Sequence, residues 1–383
     1  MTLTVVQIAL SLVLVVGAGL FLRSLGKLRA IDPSLVTDRI IAAQIDLTLR
    51  GYDQEKGRQF YSRVLERAQA LPGVQAATLT SVLPVTSGGL RENLRAGLTI
   101  PKVDVPVEFD IVRVTPGYFA TLGVPLLRGR DFSSADTAQA APVAIVNEAM
   151  QRMFWPAGDP VGSPFTASEP VPYTVVGVAR DTKYRNLREK TRMAMYLPIA
   201  QLNTSNANLV VRTATPAAQI TEALRAEVRA IDAAMPLYNV RTLAEHVDRS
   251  LYADRLRANL VGSLALLALA LAAVGIYAVL SYTIAERTRE VGVRLALGAQ
   301  PLAVLRMLLA TGARVALVGI GAGLILSMAL TGVVANQLYG LTATDPATMV
   351  GASAMLFAVA LLASFIPAWR ATRIDPVVAL RQR

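Results

Sequence analysis

Apolar residues gather in four stretches, 3–22, 260–283, 315–334 and 349–369, the third preceded by the mixed stretch 302–314. Each holds about 20 residues, enough for a helix to cross the roughly 30 Å hydrocarbon layer of a bilayer. About 230 mostly polar residues separate the first stretch from the second, enough to bury a core of their own. The pattern therefore predicts four transmembrane helices with one extramembrane domain inserted after the first. Within that domain, residues 40–49 alternate as a strand, and Asp53 is placed to cap a helix running to Ala70. Phe60, Val64, Leu65 and Ala68 stand near helical spacing, Leu71-Pro72-Gly73 ends the helix, and 74–82 reads as a second strand. The same β-α-β shape returns as a strand at 208–212, a helix from Thr215-Pro216 to Ile231 and a strand at 237–240. The two units suggest paired halves.

Between them, 107–132 and 141–198 are rich in strand signals, including a strand at 143–148 that leads into a short helix at 149–154. This middle portion is expected to form a separate inserted subdomain. Residues 86–106 hold glycine and proline without a period and are expected to be a mobile loop. From Thr242 a polar helical pattern passes without a breaker into the second apolar run. One helix over 254–283 would measure about 45 Å and project from the membrane as a stalk. Gly298 and Pro301 mark the end of one helix and the start of the third membrane helix, and Asp345-Pro346 opens the fourth.

Charge gives the bundle a direction. The net charge of +11 could point to nucleic acid. The arginines instead favour positive-inside topology, with Arg287, Arg289, Arg294 and Arg306 between the second and third helices and Arg370, Arg373, Arg381 and Arg383 after the fourth. Both clusters then face the cytoplasm, and the large domain lies outside. Arg23, Lys27 and Arg29 run against this, since they follow the first helix on the outer side and no basic residue precedes it. Either the other helices dominate, or a basic stretch upstream is missing from a fragment. A cleaved signal peptide is the competing reading of 1–22, but the basic start and a small-x-small site are lacking. The chain has no cysteine, which excludes disulfides and thiolate metal sites.

The most polar stretch between membrane runs is 285–299. Glu290 and Arg294 are spaced i,i+4 in the favourable order, Glu286 and Arg289 i,i+3, and Val291 and Leu295 share a face. The spacing fits a short amphipathic helix at the membrane face, and equally a solvated loop. Gly319, Gly321 and Gly323 lie in a membrane run with no strand before them, so they are no nucleotide fingerprint. Gly319 and Gly323 suit close helix packing or a dimer face. His246, the single histidine, is expected to be a solvated helix residue, and Asp181, Lys183, Tyr184 and Arg185 to form a surface turn. The acidic residues are scattered, with no metal or acid–base pair, and no G-x-x-x-x-G-K-[ST] occurs. The chain is therefore expected to be no enzyme, with no catalytic residues, metal or cofactor of its own.

Glu286-Arg287, Glu290-Val291-Gly292-Val293-Arg294, and Ala296-Leu297-Gly298-Ala299 resemble the coupling segment of MacB-type ABC transporter permeases, which include FtsX-like and lipoprotein-releasing permeases. Pro367-Ala368, Arg370-Ala371, Asp375-Pro376 and Ala379-Leu380-Arg381 resemble that family's ending. The resemblance implies an α-helical bundle of four transmembrane helices plus an α+β extracytoplasmic domain. That domain (30–245) would pair porter-like halves at 40–85 and 206–241 around the insert at 107–200. A first helix (1–29) would precede it and an FtsX-like domain (246–383) follow. The latter would comprise a stalk and second helix (250–284), coupling segment (285–300), third helix (302–337), fourth helix (346–370) and cytoplasmic tail (371–383).

The family further implies a bacterial inner-membrane protein engaged in efflux or periplasmic work by mechanotransmission. Glu286, Arg287, Glu290, Gly292, Arg294, Ala296, Gly298 and Ala299 would contact a separate cytoplasmic ABC ATPase, which binds the ATP. The chain would dimerise with itself or a paired permease unit, within membrane lipid and with a periplasmic adaptor or substrate as a further partner. The opening residues 6–24 resemble the middle of tandemly duplicated permeases, so the chain is expected to be the second unit of such a protein. A membrane-anchored sensor or scaffold with an extracytoplasmic binding domain and no ATPase is the alternative.

Overall fold

The computed structural model describes the backbone of all residues except 1, 31–36, 38, 87–94, 101–102, 167–171, 203, 287–292, 295–299, 331, 333–336, 343 and 373–383. The chain runs α1 (Thr2–Arg29), β1 (Ile40–Asp46), α2 (Gln54–Ala70), β2 (Val74–Thr80), β3 (Arg95–Ile100), β4 (Val103–Glu108) and β5 (Asp110–Val114). There follow α3 (Tyr118–Leu122), β6 (Leu126–Gly129), β7 (Val143–Asn147), α4 (Glu148–Phe154), β8 (Pro164–Thr166), β9 (Pro172–Ala179) and β10 (Ala194–Pro198). Last come β11 (Asn206–Thr213), α5 (Ala217–Ile231), β12 (Tyr238–Thr242), α6 (Leu243–Ser250), α7 (Tyr252–Glu286), α8 (Pro301–Ala329) and α9 (Pro346–Ala371). Two compact units result, Ile31–Leu251 and the combination of Met1–Ala30 with Tyr252–Arg383.

The first unit is built on one sheet in the order β12-β1-β11-β2-β5-β10-β7-β9-β8-β3-β4, with β6 paired to β9. Its first four strands are mutually antiparallel. They interleave the two β-α-β units, each bringing one strand to the middle and one to the flank. Side chains alternate across the sheet with period two. Ile41, Ile45, Leu79, Leu209 and Val211 meet Phe60, Val64, Ile220 and Leu224 of α2 and α5. Ile40, Ala42 and Val210 point the other way, into a second core. Asp53 caps α2 by accepting from the Lys56 amide at 2.8 Å. The Tyr52 hydroxyl donates to Asp232 at 2.9 Å, tying the helical segments of the two halves together.

The strand-rich middle shares the sheet and one core with the paired halves. The sheet continues from β2 to β5 through the pair Thr80–Val114, reinforced by Leu79 donating to the Thr115 hydroxyl at 2.8 Å. The second core joins Ile40, Ala42 and Val210 of the paired halves to Val112, Tyr118, Phe119 and Tyr196 of the insert. Pairing β2 with β5 closes a strand edge that would otherwise expose unpaired backbone groups. A third core, centred on Phe109, Val146, Met150, Phe165 and Val175, belongs to the insert alone.

Other expectations change. Within the presumed loop at 86–106, β3 and β4 pair as an antiparallel hairpin. Gly97 and Pro106 had obscured its alternation, and Pro106 is tolerated because β4 pairs only on its β3 side among the described strands. The 181–185 turn is not simply surface: Tyr184 is buried, its hydroxyl 2.7 Å from that of Tyr118 and 3.3 Å from that of Tyr196. Burial pushes all three phenols up, Tyr196 to about 12.

His246 is also buried. Its Nε2 lies 3.1 Å from the Pro84 carbonyl, which can only accept, so this nitrogen carries the proton. Desolvation, followed by the charge of Arg241, lowers its pKa. The turn it holds includes Val85 at φ 58°, a conformation costly for a β-branched residue. The expected stalk helix over 254–283 lies within α7, and the polar pattern from Thr242 forms a helix of its own that stops at Leu251. There α6, opened by a capping box of Thr242 and Glu245, ends before α7 begins.

In the second unit, α1, α7, α8 and α9 are long and apolar enough to cross a membrane. The 35 residues of α7 correspond to about 52 Å. α7 and α8 each pack along both α1 and α9 and meet each other little. Their shared core includes Ile8, Leu12, Ala272, Ile276, Ala316 and Leu356. Pro301 occupies the first turn of α8, and Asp345 caps α9 by accepting from the Thr348 amide at 2.8 Å.

Candidate functional site

The cytoplasmic helix ends carry the candidate site. α7 closes at Glu286, α8 opens at Pro301 and α9 closes at Ala371. Leu280 and Ile284 of α7, Val304 and Leu308 of α8, and Ala368 and Ala371 of α9 form one buried cluster, with Leu305, Met307 and Leu309 packed against it. Gly312 admits the α9 side chain Ser364 so closely that a Cβ would overlap its hydroxyl, which instead donates to the Ala360 carbonyl at 2.7 Å. Around this packed end, Arg306, Arg314 and Arg370 are exposed. The Arg370 guanidinium lies 3.5 Å from the Tyr277 hydroxyl.

Of the residues expected to touch an ATPase, Glu286 is the exposed last residue of α7. Arg294 is exposed, and its guanidinium donates to the Met307 sulfur, linking the 285–299 segment to the helix-end cluster. Arg287, Glu290, Gly292, Ala296, Gly298 and Ala299 lie outside the described residues, as do Asp375, Pro376, Ala379, Leu380 and Arg381. Gly319 and Gly323 are buried and face α1. A Cβ would stand 2.5 Å from Ile8 Cγ2 at the first and 2.9 Å from both the Ala9 carbonyl oxygen and Leu12 Cβ at the second. Their packing is thus within the chain. Among the described residues, no group of three or more His, Cys, Asp or Glu residues could hold a metal ion.

At the other end of the bundle, Arg23 pairs with Asp345 and donates to the Thr348 hydroxyl at 3.1 Å. Lys27 donates to the Gly340 carbonyl, and Ser24 accepts from the Tyr339 amide at 2.9 Å. These bonds account for basic residues on the side opposite the arginine-rich helix ends, since their charges anchor the α8–α9 connection to α1. Sequence reading missed the clamp because its members lie more than 300 residues apart.

Two family models match the chain: a MacB-like periplasmic core domain over residues 1–231 and an FtsX-like permease C-terminal region over residues 262–376. The chain belongs to the MacB/FtsX-like permease family. Its relatives include the pyoverdine export ATP-binding/permease protein PvdT of Pseudomonas syringae pv. syringae, 28% identical over 67% of this chain and 40% of that protein. The macrolide export ATP-binding/permease protein MacB of Rhodospirillum rubrum is 27% identical over 80% of this chain and 47% of that protein. The chain therefore spans less than half the length of either relative. The periplasmic region of MacB from Actinobacillus actinomycetemcomitans matches 59% of this chain and 97% of its own, at 14% identity and a TM-score of 0.39. Membership of this permease family, with four apolar helices, makes the chain a multi-pass inner-membrane protein whose sheet-rich unit is extracytoplasmic. The family is one of export permeases rather than classical enzymes.

Proposed function

We propose that the chain is the permease subunit of an ABC exporter and couples ATP hydrolysis by a separate cytoplasmic ATPase to movement of its extracytoplasmic domain. The observation that carries this reading is the Leu280–Ile284–Val304–Leu308–Ala368–Ala371 cluster. It joins three membrane helices where α7 ends at Glu286 and α8 begins at Pro301. A displacement of the 285–299 segment, as when two ATPase subunits close on ATP, would load all three helices together. α7 is continuous from Glu286 to Tyr252, adjoining the extracytoplasmic unit in sequence, and can carry the displacement as a rigid rod. In this mechanism Glu286, Arg287, Glu290, Gly292, Arg294, Ala296, Gly298 and Ala299 form the ATPase contact. The ATP is bound by the partner, and two permease units work as a pair.

The test uses the full chain co-expressed with its candidate ATPase. Glu290→Lys and Gly292→Leu should weaken co-purification and stimulated hydrolysis by about tenfold or more, as loss of a central interface residue does. The melting temperature of the permease should be unchanged. Normal ATPase binding and stimulation with the whole segment scrambled would refute the coupling role and favour a sensor or scaffold that has no ATPase partner.

A further inference from the structure

The extracytoplasmic half of the bundle holds a groove of about 750 Å³ between α1, α7 and α9. Gly19, Leu22, Gly262, Leu266, Gly351 and Met355 contribute to its walls. At Gly262 and Gly351 a Cβ would meet nothing within 4 Å, so neighbouring helices leave this volume open. On α1 the lining runs from Val15 to Arg23, and on α7 from Ala258 to Leu269. Those stretches rise about 12 Å and 17 Å, against about 15 Å for one leaflet of hydrocarbon. The groove thus has the depth of a single leaflet, and its polar end lies at headgroup level.

The polar end carries Arg23, Asn259 and Thr348. Arg23 is 44% exposed, and its bonds to Asp345 and Thr348 both come from Nη1. Nη2 and Nε therefore present N–H donors in the fork that suits two oxygens of a phosphate. Lys27 and Arg29 follow on the same helix, and among the described residues these cations, with Arg255 and Arg257 of α7, outnumber the carboxylates of Asp345 and Asp254. An apolar slot one leaflet deep, topped by a guanidinium fork and an excess of positive charge, matches a molecule with an acyl chain and an anionic phosphate head.

We propose that this groove binds an anionic glycerophospholipid from the outer leaflet of the inner membrane, with its phosphate on Arg23 and an acyl chain along Gly262 and Gly351. The site is distinct from the cytoplasmic helix ends and does not depend on an ATPase. The bound lipid completes the bundle surface between α1, α7 and α9.

The full chain is reconstituted in nanodiscs of phosphatidylglycerol and phosphatidylcholine in equal parts, and the lipids it retains are counted by native mass spectrometry. The wild type should retain phosphatidylglycerol over phosphatidylcholine by about fivefold, the worth of one well-placed basic residue. Arg23→Gln should erase that preference. Gly262→Phe with Gly351→Phe fills open space without touching the clamp, and should lose retention of both lipids while the melting temperature holds. Preference surviving Arg23→Gln, or retention surviving the filled groove, would overturn the proposal. Because the chain has no cysteine, Gly351→Cys gives a clean probe of the remaining occupant. Efficient crosslinking between copies in native membranes would make the groove a protein interface and likewise overturn it.

Discussion

The two units solve the packing problem with opposite materials. The sheet-rich unit buries large side chains: Tyr118, Phe119 and Tyr196 meet with ring centroids 4.9–6.1 Å apart in the core that joins the paired halves to the insert. The helical unit makes its closest approaches through small residues, with Gly319 and Gly323 against α1, Gly312 against Ser364, and Ser11 donating to the Ala268 carbonyl at 3.0 Å. The solvent supplies the reason. In water, burying aromatic area stabilises in proportion to that area. In lipid, a leucine gains little by exchanging an acyl chain for another helix, so close backbone approach and interhelical hydrogen bonds decide the packing.

The most damaging change should therefore be truncation in the aqueous unit. Phe119→Ala removes a side chain that is 1% exposed and is expected to cost about 3–5 kcal/mol. Hydrogen exchange on the full chain should show protection lost in Ile31–Leu251 and kept in the four long helices. In the bundle the reverse operation is the sensitive one. Gly319→Leu should cost about 1–3 kcal/mol by overpacking against Ile8. Gly321→Leu, two residues away with nothing within 4 Å of its Cβ, should leave the detergent melting temperature unchanged. Equal effects at the two glycines would refute small-residue packing as the organising contact.

The smallest expected effect is a pH dependence confined to the aqueous unit. His246 has its pKa lowered from 6.5 by desolvation and then by Arg241 and Arg249, opposed by the Pro84 hydrogen bond. Its contribution to stability is complete above the unfolded value of 6.5 and is lost as pH falls through the folded value, because the unfolded chain binds the proton more readily. His246→Gln should remove that slope from melting curves taken below pH 6.5. A variant whose slope matches the wild type would show that another group carries the dependence.

The legible parts of the chain were those governed by local rules. Four apolar runs, Asp53 before α2, and Asp345-Pro346 before α9 are each visible within about 20 consecutive residues, because membrane length and helix capping act over no longer a span. The 285–299 segment stands out for the same reason, as charge between two membrane runs. The β3–β4 hairpin was hidden by Gly97 and Pro106, and His246 was misread because its own helix is polar while its partner, Pro84, sits 162 residues away. The continuity of the insert with the paired halves rests on β2 meeting β5 at Thr80 and Val114, which no periodicity announces.

The charged 285–299 segment, the four spans and their sidedness follow from composition and order along the chain, since a bilayer reads hydropathy and charge segment by segment. The folded chain alone determines which glycines touch a neighbour, why Arg23 and Lys27 are tolerated outside, and which helices leave a groove between them. Each depends on residues far apart in sequence meeting at a few ångströms, and dispersion, hydrogen bonding and steric exclusion act only at that range.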